Sequence, residues 1–75
     1  MPTLDQLARG RSAIVLNLEG DPALVQRLYE LGMFEGERVE ILGFAPLGDP
    51  IELRVGNTRL SLRRSEAAAV IVEPA

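Results

Sequence analysis

The sequence predicts one mainly β domain over residues 1–75: a small, partly closed barrel of about five short strands, with one α-helix between the first strand and the second. Three observations carry this expectation. The chain has 75 residues, 47% hydrophobic and 25% charged, the composition of a globular domain with one thin core. Most apolar residues alternate with polar ones in short runs separated by Gly, Pro, Asn and Asp, the pattern of strands joined by tight turns. Only one stretch repeats apolar residues at helical spacing. Short strands in so small a chain favour closure, because closure removes exposed sheet edges.

Taking the elements in order, Thr3 and Gln6 have the Thr-x-x-Gln spacing of a capping box. A single helical turn over Thr3–Ala8, ended by Gly10, would lid one end of the core. Arg11–Leu18 is the first strand, with Ile14, Leu16 and Leu18 on one face and Ala13, Val15 and Asn17 on the other. It reads as buried on one side and partly on the other. Gly20-Asp21-Pro22 then starts the helix, since Asp21 can accept from unpaired N–H groups and Pro22 at the first helical position removes none that was needed. Leu24, Leu28 and Leu31 form the apolar stripe and Gln26, Arg27 and Glu30 face outward. Gly32 can take the left-handed conformation that ends a helix, with Met33 folding back onto Leu28. Ten or eleven residues of helix are expected.

Glu37–Phe44 alternates Val39 and Ile41 against Arg38, Glu40 and Leu42, and is the second strand. Ala45-Pro46-Leu47-Gly48-Asp49-Pro50 is a turn. Ile51, Leu53 and Val55 alternate with Glu52 and Arg54; after Gly56-Asn57, Thr58, Leu60 and Leu62 alternate with Arg59 and Ser61. With Gly56 and Asn57 as the loop, counting pairs Val55 with Thr58, Leu53 with Leu60 and Ile51 with Leu62, which puts every apolar residue of the hairpin on one face. Arg63–Ala67 breaks the alternation and reads as a helical turn. Ala68–Glu73 is a fifth strand, closed off by Pro74.

Composition excludes several functions. The chain contains no Cys and no His, so there is no disulfide, thiolate nucleophile, zinc knuckle, haem-ligating His or Ser-His-Asp triad. Hydrolysis would have to rely on carboxylates alone. Eight Arg against eleven Asp plus Glu give a formal charge of -3, the wrong sign for a protein whose main ligand is nucleic acid. The longest apolar run, Ala67–Val72, is far short of the roughly 20 residues a spanning helix needs. The N-terminal residues lack the basic start and apolar stretch of a signal peptide. A cytoplasmic, non-spanning binding module is the expectation, with no cofactor, catalytic residue or dedicated metal site.

Two groups of side chains stand out as candidates for docking a partner. Arg54, Arg59, Arg63 and Arg64 fall within eleven residues of an otherwise acidic protein and could steer it onto an acidic partner. The hairpin register sets Arg54 across from Arg59, with Glu52 diagonally within reach to relieve the like charges. Solvation of an exposed charged face is the alternative explanation of that patch. Tyr29, Met33, Phe34 and Leu47 are the large apolar side chains that periodicity assigns least clearly to the core. Core packing accounts for them by default, but exposed together they would form a patch that marks a partner. The absence of Lys does not require an arginine finger for nucleotide phosphate, since a genome rich in G and C favours Arg. Asp49 with Glu52, and Glu35 with Glu37 and Glu40, lack the spacing of a calcium loop.

Leu28-Tyr29-Glu30-Leu31-Gly32-Met33-Phe34-Glu35-Gly36, then Ala45-Pro46-Leu47-Gly48-Asp49-Pro50, then Leu60-Ser61-Leu62-Arg63-Arg64-Ser65-Glu66-Ala67 and Val70-Ile71-Val72 together resemble the ferrous iron transport protein A (FeoA) family. The resemblance covers nearly the whole chain. Phe34-Glu35 departs from the family pattern, where a small residue or Pro is frequent, and so does Ser65, where an acidic residue is common. The resemblance implies an SH3-like barrel. It also implies a small cytosolic, non-enzymatic accessory of bacterial ferrous iron uptake, acting on the membrane transporter GTPase (FeoB) and recruited through it to the inner face of the membrane. Self-association stays open. SH3-like domains of this type also occur at the C-terminus of iron-dependent repressors, which gives a second reading: a stand-alone domain regulating a transcription factor. A GTPase activator working through Arg63 or Arg64 is a third. No catalytic residue is carried over from the family, because the matched glycines look architectural.

Overall fold

The computed structural model describes all 75 residues. A 3-10 turn (Leu4–Gln6) is followed by β1 (Ser12–Leu18), α1 (Pro22–Glu30), β2 (Arg38–Phe44), β3 (Ile51–Val55), β4 (Thr58–Leu62), a short α2 (Arg64–Ala67) and β5 (Val70–Pro74). The five strands form one antiparallel sheet in the order β4-β3-β2-β1-β5. This is the mainly β architecture expected, with its helix between the first two strands. The sheet wraps around a core of fifteen buried residues, all hydrophobic.

The β3–β4 hairpin pairs Ile51 with Leu62, Leu53 with Leu60, Arg54 with Arg59 and Val55 with Thr58, the register given by counting. Gly56, at the first loop position, has φ +59 and Asn57 has no positive φ, so the turn is of the type II′ kind that needs Gly there. The apolar side of the hairpin lines the core: Ile51, Leu53, Val55 and Leu62 are buried and Leu60 is partly so.

Simple alternation fails in β1. Its pairing with β5 shifts between Val15 and Asn17, a bulge that leaves Leu16 without a partner. One extra residue reverses which parity points inward. Ala13 and Val15 are therefore buried before the bulge and Leu18 after it, while Leu16 is 36% exposed. Leu42 holds the equivalent position in β2, between Ile41 and Gly43.

The two sheet edges end differently. β5 is covered by the N-terminal segment, through the Val72 N–H donating to the Pro2 carbonyl at 3.0 Å and a Thr3–Ile71 bridge. β4 pairs with β3 alone.

α1 begins as expected: the Asp21 carboxylate accepts from the Leu24 N–H at 2.9 Å, with Pro22 at the start of the helix. It runs nine residues rather than ten or eleven, because Leu31 is already the cap. Gly32, at φ +92, donates to the Tyr29 carbonyl at 2.9 Å, and Met33 donates to that of Leu28 at 3.0 Å. These are the two bonds of a Schellman ending.

Candidate functional site

The Schellman ending of α1 sets the directions of the next two side chains. Met33 turns inward and is fully buried beside Leu28 in the core. Met33 is thus removed from the docking candidates: the same fold-back that ends α1 plugs it into the interior, where burial contributes about 1.5–3 kcal/mol. Phe34, next in the chain, points out and is 50% exposed. Its ring stacks on the half-buried Tyr29, with centroids 5.5 Å apart and planes 27° from parallel. The Tyr29 hydroxyl donates to the Glu35 carboxylate at 2.7 Å. That bond, with the negative charge behind it, holds the phenol pKa above its ordinary value. Tyr29 also lines a shallow groove along α1 with Pro22, Val25, Gln26 and Glu30. The i, i+4 pair Val25–Tyr29 is the sequence signal for this groove, lying beside the Leu24-Leu28-Leu31 stripe.

Leu47 sits at the tip of the 45–50 turn and is 97% exposed. The Gly48 N–H donates to the Ala45 carbonyl at 2.7 Å, and the Ala45 N–H to the Pro50 carbonyl at 3.0 Å. Arg64 clamps this turn from α2. Its Nε donates to the Gly48 carbonyl at 2.7 Å and its Nη1 to the Asp5 carbonyl at 3.2 Å. Its backbone N–H donates to the Asp49 carboxylate at 3.1 Å, and its guanidinium lies 5.2 Å from the centre of the Phe44 ring. These contacts give Arg64 a structural task beside the docking role expected of it: the fold engages two of the five guanidinium donors, and the side chain stays exposed. Arg63 is exposed, and its backbone N–H donates to Glu66 Oε1 at 2.9 Å. The other oxygen of Glu66 accepts from Arg27 at 2.5 Å and so ties α2 to α1.

Arg54 and Arg59 share the outer face of the β3–β4 hairpin, and both are exposed. The carboxylate that pairs with Arg54 is Glu40, not Glu52: Arg54 Nη1 lies 3.0 Å from Glu40 Oε1. Glu40 is directly opposite Arg54 on β2, whereas Glu52 is diagonal to Arg59 on the hairpin itself. Arg38, Glu40, Arg54 and Gly56 line a small depression there. The sequence candidates thus form three groups: Tyr29 with Phe34, Leu47 beside the Arg64 clamp, and Arg54 with Arg59. No hydrogen bond, ion pair or ring contact joins one group to another. No three acidic side chains converge as metal ligands, and no helix is long and apolar enough to cross a membrane.

Comparison with known proteins gives this surface a context. The FeoA domain profile matches residues 3–74. An Fe(2+) transport protein A/Fe(2+) transporter FeoB fusion protein of Porphyromonas gingivalis is 34% identical over 70 residues, covering 93% of this chain and 8% of that protein. This chain therefore spans only a small part of that relative. Stenotrophomonas maltophilia FeoA, solved in complex with zinc and described as a procaryotic SH3 domain protein, is 39% identical with a TM-score of 0.80, covering 97% of this chain and 91% of that one. A manganese-dependent transcriptional repressor shares the fold at a TM-score of 0.89 and 17% identity, covering 99% of this chain and 41% of that one. Motif, topology and profile agree, and the chain belongs to the FeoA family, the SH3-like domains associated with ferrous iron transport.

Proposed function

We propose that the protein is a non-enzymatic accessory of ferrous iron uptake that acts in the cytoplasm by binding a FeoB-type transporter at the membrane face. The observation that carries this reading is the fusion in Porphyromonas gingivalis, where a region 34% identical to this chain is covalently part of a transporter polypeptide. Fusion keeps two units at high effective concentration, an arrangement suited to parts that work in contact. The surface supports it: Phe34 at 50% and Leu47 at 97% exposure are large apolar side chains turned to solvent, suited to the apolar centre of an interface. Tyr29 stacks beside Phe34, and the exposed Arg54, Arg59 and Arg63 supply the charged rim.

The test is a binding isotherm of this protein against the soluble GTPase part and against the whole transporter, with and without a GTP analogue, at two salt concentrations. Saturable binding that weakens with Phe34→Ser and Leu47→Ser supports the reading. Absence of binding to the whole transporter in every nucleotide state refutes it. GTP hydrolysis measured in the same mixtures separates an adaptor, which leaves turnover unchanged, from an activator. The fold shared with a transcriptional repressor supports a second reading, regulation of a transcription factor, which predicts changed promoter occupancy rather than changed iron uptake on deletion.

A further inference from the structure

The two edges of the sheet are treated unequally. The β5 edge is occupied by residues of the N-terminal segment, with Pro2 accepting from Val72 and Thr3 bridging to Ile71. The β4 edge carries no hydrogen bond beyond its ladder with β3. Because Val55 and Thr58 flank a two-residue loop, they form a hydrogen-bonded pair, and so do Leu53–Leu60 and Ile51–Leu62. The peptide groups of Arg59 and Ser61 must then point away from β3, two residues apart, and both residues are exposed. That is a straight template for another strand.

We propose that the β4 edge is a strand-addition site for an extended acidic segment of a partner protein. Charge selects the occupant. From Thr58 to Arg64 the chain carries three arginines and no acidic residue, although the whole protein has a formal charge of -3. Arg54 is paired with Glu40 and Arg64 is held in place by two backbone carbonyls, whereas Arg59 has neither: no carboxylate lies within ion-pair distance of it and no hydrogen bond holds its side chain. An incoming strand that exchanged bonds with Arg59 and Ser61 would set its outward-facing side chains beside Arg59, where a Glu or Asp supplies the missing charge. A second copy of this chain is disfavoured, because edge-to-edge pairing would bring Arg59 and Arg63 of both copies into one ribbon. The inference does not depend on which protein supplies the segment, nor on the transporter reading.

The test uses labelled protein and a blocked peptide, Thr-Val-Glu-Val-Glu-Val-Thr, with a counterpart in which Lys replaces both Glu, each up to about 1 mM. Binding of the Glu peptide shifts the amide resonances of Arg59 and Ser61 and slows their exchange, and the Lys peptide binds about tenfold or more weakly. Ser61→Pro deletes one outward N–H without touching the β3 ladder and abolishes binding while the remaining spectrum is retained. Arg59→Glu reverses the peptide preference and decides the matter independently if the proline variant fails to fold. Equal binding of both peptides, binding unaffected by both variants, or no shift at Arg59 and Ser61 would overturn the proposal. Concentration-dependent shifts at β4 without peptide would also overturn it, in favour of self-pairing.

Discussion

Replacing Gly32 by Val isolates one term of the folding free energy. Gly32 has φ +92, and a Cβ built on it meets no atom within 4 Å. The substitution is thus not crowded; its cost lies in the backbone alone. Holding an L-residue in the left-handed region costs about 1–2 kcal/mol, and the branched Val side chain sits at the upper end. Loss of glycine's freedom in the unfolded chain offsets about 0.4–1 kcal/mol of this. A net loss of about 1 kcal/mol or slightly more is expected for Gly32→Val, with Gly32→Asn costing less than half as much because Asn tolerates this conformation. For a domain of this size that corresponds to a fall in Tm of roughly 4–8 °C. Guanidinium unfolding followed by far-ultraviolet circular dichroism measures it, with the m-value unchanged. A Val variant within about 0.3 kcal/mol of the parent, or an Asn variant as unstable as Val, would show that the Schellman geometry is not what ends α1.

Met33→Ala should destabilise by about 2–4 kcal/mol in the same assay, because Met33 is fully buried, whereas Leu47→Ser should stay within about 0.5 kcal/mol. Arg64→Met should cost about 1–2 kcal/mol and speed amide exchange at Gly48, with Arg63→Ala nearly neutral by comparison. The Tyr29 phenol should ionise above its ordinary value near 10, and Glu35→Gln should lower that midpoint. The sign is that of an acid kept neutral by the fold: the stabilisation is complete below the unfolded value and is lost as pH rises through the higher folded value. An absorbance titration of the single Tyr reads it directly. Glu40→Gln should change stability by about 1 kcal/mol or less, and high salt should erase the difference, since both partners of the Arg54 pair are partly exposed.

Local chemistry is legible in the sequence and distant pairing is not. The 51–62 hairpin can be registered by counting because two loop residues fix every pair beyond them. Asp21, Pro22, Gly32 and Met33 mark both ends of α1 because capping acts within one turn. The bulges at Leu16 and Leu42 are hidden, since each depends on a partner strand rather than on its own segment. Glu52 stands out in the sequence ahead of Glu40 for the same reason: the hairpin neighbour is visible there, and the residue one strand further across is not. Arg64 reaches Gly48, 16 positions away, and Asp5, 59 positions away, distances at which no periodicity speaks. Met33 and Phe34 are adjacent and similarly apolar, yet one is buried and the other half-exposed. The Schellman turn decides between them.

The Arg64 clamp has a consequence for the docking proposed at Leu47. A connecting loop that becomes ordered only when a partner arrives subtracts the cost of that ordering from the affinity gained. Here the guanidinium of Arg64, the Asp49 carboxylate and the two turn bonds hold the 45–50 backbone in place before any contact is made. A side chain at 97% exposure is offered from an already rigid mount. The proposed contact at Leu47 would therefore carry little backbone entropic penalty, and changes to Arg64 would act on affinity mainly through the looseness of the free state, with the bound geometry left the same.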